Sequence, residues 1–194
     1  MGLMTMMKMN PRVVVVGCGA GLERVVTGLA TRLAGRGGAN QTEWLTAIVP
    51  SARDLDECPA VTRRGIAIYA ASSETGPARR VAPDALRQMI NADLIVFGPC
   101  DRAPLDDIIA IGGVGRTLPA VKGIRVLVTP LASENPRVGE RYSALFASRL
   151  FHYWLSGSCR SDSTDGLIDD LIALLEHPAG AHEHQRTFLA RYAS

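Results

Sequence analysis

Val13-Val14-Val15-Val16-Gly17-Cys18-Gly19-Ala20-Gly21-Leu22-Glu23-Arg24-Val25-Val26-Thr27-Gly28-Leu29 is the stretch that decides the fold. Four successive valines make a continuous β-branched apolar run, the pattern of a parallel strand buried on both faces. Gly17 to Gly21 follow without a spacer, and Leu22, Val25, Val26, Leu29 and Leu33 then mark one face of a helix. A strand that turns directly into a helix aims unpaired backbone N–H groups, and the positive end of the helix dipole, at one spot. That spot suits an anion, most often a phosphate.

Outward from this junction, short apolar runs alternate with helical patterns. Trp44 to Val49 reads as a second strand ended by Pro50, and Gly65 to Ala70 as a third. Asp84 to Asn91 reads as a short helix behind Pro83, with Leu86, Met89 and Ile90 facing inward. Leu94 to Phe97 is a fourth strand closed by Gly98-Pro99, and Ile124 to Thr129 a fifth closed by Pro130. Arg141 to Leu155 reads as a long helix with Tyr142, Leu145, Phe146, Leu150 and Tyr153 inward. Asp165 caps a helix from Gly166 to Glu176, which His177-Pro178 stops.

Strands alternating with helices predict βαβ units. The fold class expected is α/β: a Rossmann-like three-layer sandwich around a mainly parallel sheet of five or more strands. A disordered extension over residues 1–11 precedes a single domain over 12–180, and 181–194 form a helical tail. Gly35 to Thr42 is a polar linker, and Ser51 to Arg64 a long loop facing the cleft. Ligands of such sheets sit beyond the C-terminal ends of the strands, where strand order reverses.

The 194 residues, 47% of them hydrophobic, suffice for one sizeable core. A net charge of +2, from 21 basic and 19 acidic residues, gives no footprint of a nucleic-acid binder. Arg63-Arg64 and Arg79-Arg80 read as solvated surface. No apolar run reaches the ~20 residues of a membrane helix, and the methionine-rich start has no h-region, so no membrane is expected and the cytoplasm is the expected compartment. Cys18, Cys58, Cys100 and Cys159 lack zinc spacing and read as free thiols of a reducing compartment.

The dinucleotide fingerprint G-x-G-x-x-G is incomplete: Gly17 and Gly19 fit, Leu22 holds the third position, and Gly21 comes one residue early. Pro50, Ser51, Ala52 and Arg53 stand where an acid would hold the ribose hydroxyls, which disfavours NAD, whereas Arg53 would tolerate the 2′-phosphate of NADP. The plain alternative is a tight turn that binds nothing. No Gly-x-Ser-x-Gly elbow and no P-loop exists. His182-Glu183-His184 reads as an exposed tail, since i, i+2 spacing on a helix points the imidazoles apart. Asp169-Asp170 reads as a solvated helix face, and Asp106-Asp107 as a cap near the cleft. Tyr153-Trp154 reads as core packing or a dimer contact. Cys18 and Cys100 end two strands expected to be neighbours, with Cys58 in the facing loop. The cleft would then be a redox or soft-metal site, against the plainer reading of independent buried thiols.

Three segments together resemble the CofD/YvcK-like family. Val13 to Leu29 (VVVVGCGAGLERVVTGL) is similar to its opening strand followed by Gly-Gly-Gly-Thr-Gly-Leu. Thr46 to Val49 is similar to its second strand, and Ala92 to Pro99 (ADLIVFGP) to its late strand, which continues there into Gly-Ser-Leu-Tyr-Thr-Ser. Ser133 to Ser143 weakly echoes a further family segment. CofD transfers a phospholactyl group from a nucleotide donor, and YvcK-type proteins bind UDP-sugars and act in metabolic regulation. The resemblance implies a Rossmann-like core with a nucleotide or nucleotide-sugar cleft.

The chain departs from the family by being shorter between its second and late strands. Arg53 and Asp54 stand for an aspartate pair, and Cys100 and Asp101 for glycine and serine. A Cys side chain crowds the backbone approach to phosphate, Asp101 repels an anion, and one lost aspartate weakens any Mg²⁺ site.

The reading drawn is a nucleotide-, nucleotide-sugar- or similar phosphorylated-ligand-binding protein with a regulatory or structural role. It is expected to form a homodimer; beyond a nucleotide or nucleotide-sugar no cofactor is assigned, and Mg²⁺ is disfavoured. Gly17, Cys18, Gly19, Ala20 and Gly21 form the anion turn, Gly98, Pro99, Cys100 and Asp101 the opposing wall, and Asp54 contacts a ribose or an ion. No catalytic residue and no metal ligand is assigned. The alternatives are a CofD-like transferase, with Asp54 and Asp101 supplying a metal site or base, and a ligand-free scaffold.

Overall fold

The computed structural model describes residues 11–34, 44–72, 81–100, 120–129, 150–156 and 164–176. Within them, β1 (Val13–Cys18) leads into α1 (Gly19–Leu33), and β2 (Leu45–Ser51) into a 3₁₀ helix (Ala52–Glu57) and α2 (Pro59–Arg63). Then follow β3 (Ala67–Ser72), α3 (Pro83–Ile90), β4 (Leu94–Cys100), β5 (Ile124–Thr129), β6 (Tyr153–Ser156) and α4 (Thr164–Glu176).

The sheet has six strands in the order β3-β2-β1-β4-β5-β6, every neighbouring pair parallel. This is the doubly wound Rossmann order. The four valines lie at its centre: Val13 pairs with Leu45 on one side and Leu94 on the other, and Val16 with Ile48 and Phe97.

Both faces of the sheet are covered, which explains why β1 is apolar throughout. Val13 and Val15 pack with Leu22, Val25 and Leu29 of α1 and Leu167, Ile168 and Leu171 of α4. Val14 and Val16 pack with Ala85 and Met89 of α3 and with Phe151 on the opposite face. The alternation of period two thus feeds two cores and makes three layers. α1 and α4 approach closely at Gly28, where a Cβ would run into the end of the Ile168 side chain.

Several element boundaries differ from the sequence reading. β2 does not stop at Pro50. The β2–β3 register pairs Val49 with Ala70 and Ser51 with Ser72 and passes over Pro50, while pairing with β1 has already ended at Val16–Ile48. The missing proline N–H therefore removes no registered pair. β3 runs over Ala67–Ser72 and not Gly65 to Ala70, because Gly65, at φ 71°, belongs to the turn after α2.

Gly98-Pro99 does not close β4. Val16 faces Phe97, but the next registered pair is Cys18 with Cys100, so β4 carries one extra residue there, and Gly98 takes φ 99°. That is a β-bulge with glycine at the position an L side chain would strain. On α3, Ala85 and Met89 are buried, Leu86 is half-buried and Ile90 is exposed, so Ile90 is not an inner residue.

The largest difference is β6. Tyr153–Ser156 forms a strand beside β5, where the sequence suggested the end of a long helix. Tyr153 faces the α1/α4 core while Trp154 packs against the opposite one, as strand alternation requires. Expectations on residues 1–10, the Gly35 to Thr42 linker, Arg79-Arg80, Asp101, Asp106-Asp107, Pro130, residues 131–149, Cys159 and the tail from His177 lie outside the described residues.

Candidate functional site

The chain leaves β1 toward β2 and β3, then returns past β1 to β4, so strand order reverses between β1 and β4. The cleft beyond the C-terminal ends of these strands is where open parallel sheets hold ligands. It brings together Gly17 to Gly21 from β1 and α1, the Ser51 to Cys58 segment after β2, and the Gly98 to Cys100 end of β4.

At the head of α1 the backbone changes direction within two residues. Cys18 is extended, at φ −152° and ψ 160°, and its side chain makes no cap bond to the helix. Gly19 follows at φ 60°, a conformation that a side chain disfavours. The first turn holds no acidic residue, and Ala20 is exposed. No side-chain cap from Cys18 engages the first-turn N–H groups. The first-turn N–H groups of a helix have no partner within it, so these point outward with the helix dipole behind them.

The segment after β2 is not a loop. The 3₁₀ helix and α2 fasten it to the flank of α1 through three contacts. The Cys58 thiol donates to the carbonyl oxygen of Gly19 at 3.8 Å. The Glu23 carboxylate accepts the N–H of Ala60 in the first turn of α2, where a negative charge is favourable. Arg64 Nη1 donates to Thr31 Oγ1 at 2.9 Å. The sequence signals are Pro59, suited to the first helical position, and Glu23 on the polar side of α1; neither spacing shows that the two regions meet.

Cys58 is fully buried, and its pKa is pushed from the ordinary 9.0 to about 11, first by burial and then by the negative potential of Glu23, Cys18 and Glu57. Between these values the unfolded thiol has released a proton that the folded one keeps. Its contribution is complete below pH 9 and is lost as pH rises to about 11. Denaturation midpoints measured across this window should fall by an amount corresponding to about 2–3 kcal/mol more for the parent than for Cys58→Ala.

Asp54 is turned back on its own chain. Its Oδ2 accepts both the N–H and the Oγ–H of Ser51, each at 2.8 Å, and closes a capping box on the 3₁₀ helix. The residue expected at a ribose or an ion thus has one carboxylate oxygen held locally. Arg53 beside it is exposed and makes no ion pair among the described residues.

Backbone register sets Cys18 beside Cys100, so the two strand ends are neighbours as the sequence suggested. Cys18 and Cys58 are both buried free thiols, and Cys58 reaches the carbonyl of Gly19, the residue after Cys18. Among the described residues no group of three or more His, Cys, Asp or Glu side chains is placed to hold a metal ion. No helix there is long and apolar enough to cross a membrane. Asp169 is a surface residue, 3.5 Å from Arg32.

No family model matches the chain, and no curated protein does. Among solved structures it is similar to an imine reductase from Myxococcus stipitatus, a V8 variant in complex with NAD⁺, with 16% identity and a TM-score of 0.44. The match covers 77% of this chain and 41% of that one, so the chain spans less than half the length of that structure. The Rossmann-like fold itself follows from the strand order.

Proposed function

We propose that the chain binds a nucleotide, a nucleotide-sugar or a similar phosphorylated small molecule at the C-terminal ends of β1, β2 and β4. Its role in this reading is regulatory or structural, as a shortened, divergent relative of the CofD/YvcK-like proteins. The observation that carries the reading is the head of α1. An uncapped first turn with no acid, entered through Gly19 at φ 60°, stands where strand order reverses. Phosphate there would accept from the N–H groups of Ala20 and Gly21 and meet the positive end of the dipole. The capping box at Asp54 weighs against a transferase, since a carboxylate oxygen already holding two hydrogen bonds from its own chain is less free to ligate a metal.

A thermal-shift screen of nucleotides and UDP-sugars tests this. A ligand at a hundred times its Kd adds about 2.7 kcal/mol, which raises Tm by roughly 5–10 °C for a domain of this size. Ala20→Asp is the decisive variant. A carboxylate in the first turn stabilises the helix by about 0.3–1 kcal/mol while repelling an anion. The variant should therefore keep or raise its own Tm and lose the ligand-induced shift. An Ala20→Asp protein that keeps the full shift places the ligand elsewhere, and silence across the screen favours the scaffold reading.

A further inference from the structure

We propose that the ligand is a ribonucleotide carrying a phosphate on its ribose 2′-oxygen, and that Arg53 selects it; this rests on the nucleotide-binding reading above. When the phosphates of a nucleotide lie on the turn between β1 and α1, its ribose reaches the C-terminal end of the neighbouring strand, here β2. A carboxylate at that place accepts the hydrogens of the ribose hydroxyls, and an arginine there accommodates a 2′-phosphate.

In this chain the first acid beyond β2 is Asp54, and its Oδ2 already accepts the Ser51 N–H and Oγ–H at 2.8 Å each. The hydroxyl-binding carboxylate is thus turned into the cap of the 3₁₀ helix. The same cap fixes the backbone on which Arg53 stands, two residues past the end of β2. Arg53 is exposed, and among the described residues no carboxylate pairs with it. Asp56, one 3₁₀ turn further on and on the same side, is the next acid after the captured Asp54, and it too is exposed without an ion pair among the described residues. The planar fork of a guanidinium matches phosphate with two parallel hydrogen bonds, which an ammonium or an amide does not.

Calorimetric titration of the parent chain and Arg53→Gln with 2′,5′-ADP and with 5′-AMP, which differ only by the 2′-phosphate, decides it. Arg53 lies on the surface, so the substitution leaves the fold intact. The parent should bind 2′,5′-ADP at least about tenfold more tightly than 5′-AMP, through the charge-assisted hydrogen bonds of the guanidinium to the 2′-phosphate. Arg53→Gln should erase that preference and leave the 5′-AMP affinity unchanged. Equal affinities in the parent, or a preference that survives in Arg53→Gln, overturn the selection by Arg53 while nucleotide binding stands. Absence of binding by both nucleotides overturns the nucleotide reading and this inference with it.

Discussion

Phe97→Ala is expected to destabilise the protein by about 3–5 kcal/mol, the largest loss of any single truncation considered. Phe97 is fully buried on β4, the strand next to β1, and pairs in register with Val16 and Leu127. Its ring meets Phe151 edge to face, with centroids 5.4 Å apart and planes at 73°, an arrangement that adds to simple area burial. Phe151 lies two residues before β6, so the pair ties the β6 edge of the sheet to its centre. Alanine would remove both the transfer term and the aromatic contact and leave a cavity between the sheet and α3. Urea unfolding followed by tryptophan fluorescence measures the loss. A difference under about 1 kcal/mol would mean that the Val14/Val16 face is much looser than described.

Gly123→Ala is expected to cost about 3 kcal/mol, at the upper end for overpacking. A Cβ there would lie 2.5 Å from the carbonyl oxygen of Asp93 and 2.6 Å from its carbonyl carbon, and against the carbonyl oxygen of Ala92. These are backbone atoms, so no rotamer change relieves the clash. The next residue, Ile124, donates to that same Asp93 oxygen at 2.8 Å, and Asp93 in turn donates to Arg12 and accepts its N–H, tying β1, β4 and β5 together where the strands begin. Separating β5 from β4 would strain this whole junction. Gly166→Ala is the matched control: nothing lies within 4 Å of its new Cβ, and alanine is the better helix former, so stability should hold or rise.

Much of the fold is legible because single residues carry unambiguous physics. Four valines in a row leave no helical face, and they occupy the centre of the sheet. The run from Ile124 to Thr129 is bounded as the sequence suggests. β6 is not legible: Tyr153-Trp154-Leu155 is short, lacks β-branched residues, and continues an apparent helical spacing from Tyr142 onward. Proline rules misplace the ends of β2 and β4 for a different reason. Pro50 and Pro99 sit where pairing is already skipped or bulged, which only the register of neighbouring strands determines.

The site is half legible. Gly19 and the head of α1 follow from the strand–turn–helix pattern. The capture of Asp54 by Ser51, the donation from Cys58 to Gly19 and the reach of Glu23 to Ala60 do not, since each depends on how the segment after β2 folds back on α1. Those contacts decide which groups remain available to a ligand.

The most direct test of the central claim watches the backbone amides themselves. In ¹⁵N-labelled protein titrated with a nucleotide that raises Tm, the signals of Gly19, Ala20 and Gly21 should move first and furthest, with a saturation curve matching the calorimetric Kd. Saturable binding that leaves these three amides unmoved while signals elsewhere shift would contradict the account.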